Sequence, residues 1–163
     1  TEVASAELLA SGDSARLKNV PILASLTFAK VAAVAFAARA GLLMAPAYAV
    51  SDMLKQANLN LQDFDFYEIH EAFAAQTIAT LKAWQSEKFC RERLGRNQPM
   101  GPIDLSKLNV KGGSIAMGHP FAATGARIIG SLAKMLGEKG SGRGLISVCT
   151  AGGMGVSAIL EAA

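Results

Sequence analysis

The chain predicts an α/β layered domain built on a mixed sheet. Three observations carry this: short apolar, β-branched runs suited to strands recur along the 163 residues, stretches with helical spacing alternate with them, and the last two runs flank a glycine-rich turn as a hairpin. The order is strand, helix, strand, helix, loop, helix, strand, strand. Of the residues, 51% are apolar and 18% charged, which fits one globular unit with a real core and excludes a disordered chain.

In chain order, Glu2 to Ala10 is short and amphipathic, and Ser11-Gly-Asp-Ser14 breaks it with turn chemistry. Pro21 to Val34 is rich in apolar and β-branched residues and includes a buried strand. After Gly41, Pro46 suits the first turn of a helix with Val50, Met53, Leu54 and Ala57 at helical spacing, and Asn58 suits its end. Asp63 to His70 reads as a strand, with His70 at its C-terminal end. From Glu71 the pattern turns helical, with Ala72, Ala75, Ile78, Ala79 and Ala83 on one side and Trp84 beyond. Ser86 to Asn109 is a long polar excursion holding Gly95, Pro99, Gly101 and Pro102. A helix starting at Pro120 carries Ile128, Ile129, Leu132 and Leu136 and stops near Gly137 or Gly140. Leu145 to Cys149 is a strand, Thr150 to Gly153 a turn, and Met154, Val156, Ala158 and Leu160 alternate as the return strand, with Cys149 at the hairpin tip.

Several function classes are excluded at this stage. A net charge of +3, from 16 basic and 13 acidic residues without a dense cluster, suits a small anionic ligand and is too weak to argue for nucleic acid. Cys90 and Cys149 are the only cysteines, too few for a disulfide framework, and with His70 and His119 they lack the short-spaced ligand pairs of a zinc site, so no metal is expected. Gly112 to Gly118 lacks the Gly-Lys-Ser/Thr ending of a phosphate loop. The apolar region from Val20 to Val50 is interrupted by Lys30, Arg39 and two prolines, which favours a buried strand, a loop and a helix over a membrane span. Reduced thiols and an opening without a basic or long apolar region lead to the expectation of a soluble intracellular protein, cytoplasmic in a bacterium and mitochondrial or peroxisomal in a eukaryote. The absence of an initiator Met suggests processing or excision from a longer chain.

Three reactive side chains fall at strand ends or a helix start: His70, His119 and Cys149. His119 lies in Gly112-Gly-Ser-Ile-Ala-Met-Gly-His-Pro-Phe-Ala-Ala-Thr-Gly125, where a helix starting at Pro120 would place it at or next to the N-cap and help keep it neutral, the form a general base needs. Cys149 precedes a glycine-rich turn whose N–H groups can point at a thiolate or an oxyanion, although a buried cysteine is also a common core residue. His70 could equally cap the helix after it. Met44, Met117 and Met154 could line an acyl or pantetheine channel or simply fill a core.

Taken together, His70-Glu-Ala-Phe-Ala-Ala-Gln76, Gly112-Gly-Ser-Ile-Ala-Met-Gly-His-Pro120 and Cys149-Thr-Ala-Gly-Gly-Met-Gly155 resemble, in order and spacing, the signature segments of thiolases. The His-Glu-Ala-Phe version is similar to thiolases of the trifunctional-enzyme β-subunit type. Leu43-Met-Ala-Pro46 resembles their Met-Gly-x-Gly-Pro segment beside the pantetheine tunnel, with the glycines replaced.

The resemblance implies a two-half fold, each half a βαβαβαββ unit with a mixed five-stranded sheet covered by helices on both faces. Residues 1–18 would be the tail of the N-terminal half and 19–163 the C-terminal domain. The acylated nucleophilic cysteine would belong to the N-terminal half, since no residue here matches its motif. His119 would take that nucleophile's proton, and Cys149 would be the acid/base at the α-carbon of acetyl-CoA. His119 with a water held by His70 would form one oxyanion hole, and the N–H of Ala151 would serve the other. Met44, Phe73, Met117 and Gly118 would line the acyl and pantetheine path. CoA and acyl-CoA enter as substrates, with no cofactor. An ionisable His70 would narrow the pH optimum relative to Asn-type thiolases. Pairing with the N-terminal half, and homodimers or homotetramers, would cover the apolar face of an isolated half. The competing readings are a decarboxylating ketosynthase and a half-thiolase that acts only as a binding or structural subunit.

Overall fold

A computed structural model describes residues 4–38 and 41–163. Arg39, read above as an interruption of the apolar region, and the first residues of the Glu2–Ala10 stretch lie outside them. Four strands form one mixed sheet: β1 (Ala24–Ala33), β2 (Phe66–Ile69), β3 (Arg143–Thr150) and β4 (Met154–Ala162), in the order β1-β4-β3-β2. β4 runs antiparallel to both neighbours and β3 parallel to β2. The expected five-stranded sheet is therefore four-stranded among the described residues. The mixed character and the helices on both faces are as expected.

Residue alternation along the central strands sorts the two cores. Leu145 and Ile159 point to one face, where they meet α2 (Ala45–Ala57) through Ala47, Val50, Met53 and Leu54, together with Trp84 of α3 (Ala74–Gln85). Ile146, Ala158 and Leu160 point to the other, under Ile128, Leu132 and Leu136 of α6 (Thr124–Lys139). Both faces come close to backbone. A Cβ on Gly144 would collide with Leu132 of α6, and one on Gly155 would stand 2.6 Å from the Pro46 nitrogen at the head of α2.

α2 has Pro46 in its first turn and ends on Asn58 in the left-handed conformation (φ 54°), as its sequence predicts. α6 likewise ends on Gly140 (φ 71°). Other elements depart from expectation. Ser11-Gly-Asp-Ser14 does not break a helix but starts one: α1 spans Gly12–Leu17, and the Ser11 hydroxyl accepts the Ser14 N–H at 3.2 Å.

α3 begins at Ala74 rather than Glu71 and buries Gln76, Thr77, Thr80, Ala83 and Trp84, leaving Ile78 51% exposed. Its inward face is partly polar, so apolar spacing alone misplaces it, and the fully buried Trp84, donating to the Ala47 carbonyl at 3.4 Å, sets the orientation. The polar excursion after it contains α4 (Glu87–Glu92) and sends Cys90, Leu94, Met100 and Ile103 into the core. Among the described residues no helix is long and apolar enough to cross a membrane.

Candidate active site

His70 follows the last residue of β2, and its N–H still donates to the Ser147 carbonyl of β3 at 2.9 Å. Asn109 fixes the chain on either side of it. Its Oδ1 accepts the Ile69 N–H at 2.9 Å, while its Nδ2 donates to the Ile69 carbonyl at 2.9 Å and to Glu71 Oε1 at 2.7 Å. Glu71 Oε2 in turn accepts the Ile115 N–H at 3.0 Å, which seats the short helix α5 (Ser114–Met117) on the end of β2. Gly113 is required there, because a Cβ would collide with the Glu71 carboxylate.

α5 closes on Gly118 (φ 91°), and the chain delivers His119 beside His70, with ring centroids 4.2 Å apart and planes at 51°. The Phe121 ring stands edge-on against His119 at 5.1 Å. The next helix starts at Thr124, not Pro120, so His119 is not an N-cap and the argument from the helix's partial charge falls away. A side chain of that helix fixes the imidazole instead: His119 Nδ1 lies 2.7 Å from Thr124 Oγ1. The Thr124 hydroxyl donates to the Pro120 carbonyl at 3.4 Å, leaving a lone pair to accept from Nδ1–H. This network assigns the His119 proton to Nδ1 and leaves Nε2 as an acceptor.

Ala122, in the turn between His119 and α6, has a left-handed backbone (φ 70°) that costs an alanine about 1–2 kcal/mol. Ala122→Gly relieves this and returns about 0.5–1 kcal/mol through the freer unfolded chain. The expected result is a net gain of about 0.5–1 kcal/mol, read as a rise of about 1–4 °C in the thermal midpoint. An unchanged or lower midpoint would contradict the strained turn.

His70 is buried (2% exposed), and its pKa is lowered to about 4, first by burial and then by the charge of His119 and Arg127, with Glu71 opposing. It therefore stays neutral at neutral pH, against the expectation that its ionisation narrows the pH optimum. His70 caps no helix; its Nδ1 lies 2.9 Å from Ser114 Oγ.

Beneath it, Glu68 on β2 is 1% exposed with its pKa raised to about 7, chiefly by burial, with Arg127 opposing and Glu71 adding. The unfolded chain ionises Glu68 near its ordinary value of 4.5, so between that value and about 7 the folded state binds the extra proton. Folding stability is thus expected to fall as pH rises through this window, by up to about 3 kcal/mol. Glu68→Gln should abolish that component of the slope in urea unfolding, and an unchanged slope would remove Glu68 as its source.

Cys149 lies near the C-terminal end of β3, paired with Gly155 of β4, and is buried. Burial pushes its thiol pKa up, partly offset by backbone hydrogen bonds from its own residue and from Ala72. The group thus rests as a protonated thiol, tied through Ala72 to the segment that carries His70. After Thr150 the chain turns through a short 3-10 segment, Ala151–Gly153, with Gly152 at φ 77°, and Ala151 is exposed there.

Of the other residues singled out from sequence, Gly118 ends α5 directly before His119 and Met117 is exposed beside it. Phe73 is 65% exposed at the head of α3, and Met44 packs against the core at the head of α2. Cys90 is buried with its thiol 3.3 Å from the Trp84 carbonyl, a core position. Sequence reading missed Asn109, Ser114, Thr124 and Arg127. Ser114 and Thr124 stood in view as the hydroxyl residues flanking His119 in the glycine-rich stretch, whereas nothing local marks Asn109 or Arg127.

Residues 20–162 match the family model described as the thiolase C-terminal domain. A 3-ketoacyl-CoA thiolase of Shewanella sp. (strain W3-18-1) is 52% identical over 120 residues, 74% of this chain and 28% of that protein, so the chain spans little more than a quarter of this relative's length. Among solved structures, the acetyl-CoA acetyltransferase of Bacillus anthracis superposes with a TM-score of 0.73 at 35% identity, over 94% of this chain and 34% of that one. The peroxisomal 3-ketoacyl-CoA thiolase of Saccharomyces cerevisiae, described as built from two core domains of identical topology, gives 0.69 at 32% identity, over 92% and 37%. The chain belongs to the thiolase family.

Proposed function

We propose that this chain is the C-terminal half of a thiolase that exchanges an acyl group between 3-ketoacyl-CoA and CoA, in the degradation of fatty acids by β-oxidation. The observation that carries this is the contact of two imidazoles, His70 and His119, in a segment whose backbone also reaches the buried Cys149 thiol. A thiol nucleophile from outside these 163 residues gives its proton to His119 Nε2 and attacks the 3-keto carbon. His119 then donates from Nε2, and with a water held by His70 steadies the oxyanion. The bond between the α-carbon and the keto carbon breaks, its electron pair passes to the acetyl-CoA enolate, and the Cys149 thiol protonates that carbon. The Ala151 N–H stabilises the enolate oxygen.

In the second stage CoA gives its thiol proton to the Cys149 thiolate and attacks the acyl-enzyme. The released nucleophile recovers its proton from His119. Burial suits Cys149 to this work, since a thiol held above its usual pKa keeps its proton until a stronger base, the enolate carbon, forms beside it. Met44, Phe73, Met117 and Gly118 line the acyl and pantetheine path.

The N-terminal half covers the apolar surface left by Leu26 and Val31 of β1 with Met154 and Val156 of β4, and residues 1–18 close that half. Homodimers or homotetramers follow from the same surface logic, and the substrates are CoA thioesters without a cofactor. The test is an assay of the full-length protein with 3-ketoacyl-CoA and CoA, set beside exchange of labelled CoA into acyl-CoA. Cys149→Ala should lose thiolysis while exchange falls far less, because CoA can leave and return as the thiolate ionised in solution, whereas an enolate carbon needs a proton donor. Equal loss of both, or thiolysis by the variant, overturns the role of Cys149.

A further inference from the structure

We propose that Arg127 and Ser114 are positioning residues that lock the proton of His70 onto Nε2, so that the paired imidazoles present opposite faces to the reaction: His70 a donor, His119 an acceptor. Ser114 Oγ stands 2.9 Å from His70 Nδ1 and accepts from Arg127 Nη2 at 3.1 Å. A guanidinium has five N–H donors and no acceptor, and stays protonated in proteins. The Arg127–Ser114 bond can therefore run in one direction only, and it consumes a Ser114 lone pair. Ser114 has one proton left to place, and among the described residues its other hydrogen-bond partner is His70 Nδ1.

The reverse arrangement, with Nδ1–H donating to Ser114, would leave that hydroxyl proton without an acceptor in a buried site, a cost of about 1–3 kcal/mol. Nδ1 is thus the acceptor and Nε2 carries the hydrogen. The sense of the relay comes from α6, which supplies both Arg127 and Thr124: one residue pushes a proton toward His70 Nδ1 through Ser114, the other draws one from His119 Nδ1.

The charged and titratable groups that face His70 are His119, Arg127 and Glu71, with Glu68 facing Arg127 from β2. Arg127 Nε and Nη1 are buried without a hydrogen-bond partner among the described residues, so the contact to Ser114 is the guanidinium's directed bond there. The catalytic meaning of the donor rests on the thiolase reading above; the tautomer itself does not.

Long-range 1H–15N NMR of the histidine-labelled full-length protein tests this directly, since protonated and bare ring nitrogens have well-separated shifts and the His70 and His119 signals are assigned by their loss in His70→Asn and His119→Asn. At neutral pH His70 should show a protonated Nε2 and a bare Nδ1, and His119 the opposite. Ser114→Ala and Arg127→Met should each convert the His70 pattern to a tautomer mixture and leave His119 as it was, which also shows that the site is still folded. Ser114→Thr and Arg127→Lys, which keep the hydroxyl and the one-way donor, should restore Nε2–H. A wild-type His70 protonated at Nδ1, or a pattern indifferent to Ser114→Ala and Arg127→Met, overturns the proposal. These readings need no substrate, so failed thiolysis with the tautomers intact would count against the enzymatic role alone.

Discussion

Gly155→Ala is expected to destabilise the fold by about 3 kcal/mol. The added methyl would stand 2.6 Å from the Pro46 nitrogen, 2.7 Å from Pro46 Cδ and 2.9 Å from the Ala45 carbonyl carbon. Two of these are backbone atoms, so no side-chain rotation relieves the overlap. Either α2 lifts off β4, opening the core that holds Val50, Met53 and Leu54, or β4 shifts in its ladder. In urea unfolding the midpoint should drop with the slope unchanged, as for a loss of native-state packing. A midpoint within error of the parent would mean that α2 does not sit on β4 as described. Because Gly155 pairs with Cys149 across the hairpin, the same displacement should also reduce any activity that depends on that thiol.

The second large effect is expected at His119. In the full-length protein, His119→Ala should lower kcat/KM for thiolysis about a thousandfold, or about 4 kcal/mol of transition-state stabilisation, within the range for loss of a general base. Exchange of labelled CoA into acyl-CoA should fall with it, since both reactions begin with the same proton transfer from the nucleophile. Stability should change little, because the imidazole is exposed and its buried partner Thr124 keeps its hydrogen bond to the Pro120 carbonyl. Exchange at the parent rate in this variant would assign the base elsewhere. Set beside Cys149→Ala, the pattern separates a residue whose loss stops both reactions from one whose loss falls chiefly on the protonation of carbon.

Much of the fold was legible because its signals are local. Pro46 and Asn58 bracket α2, Gly140 ends α6, and alternation along Met154–Leu160 marks the return strand, each from a few adjacent residues. α3 was misplaced because its buried face carries Gln76, Thr77 and Thr80, so hydrophobic periodicity pointed to the wrong side. The start of α6 was misread because Pro120 suits a first helical turn, yet the left-handed Ala122 keeps the chain in a turn until Thr124. Of the site, the sequence marked the reactive groups, whose residue types advertise their chemistry. The groups that orient them come from distant positions: Asn109 reaches Ile69 and Arg127 reaches Ser114 only after the chain has folded. No spacing rule links them beforehand.

The tight seating of Gly144 against α6 and of Gly155 against α2 divides the site by persistence. β3 and β4 are the interior strands of the sheet, clasped by a helix on either face, and Cys149 rides on them. His119 hangs instead on an exposed turn held by the Thr124 hydroxyl and burdened by Ala122. Amides of β3 and β4 should exchange with solvent only through global unfolding, whereas those of the 118–123 turn exchange through small local openings. On warming, His119 should part from Cys149 before the sheet melts, so a reaction that needs both would be lost with the turn rather than with the fold.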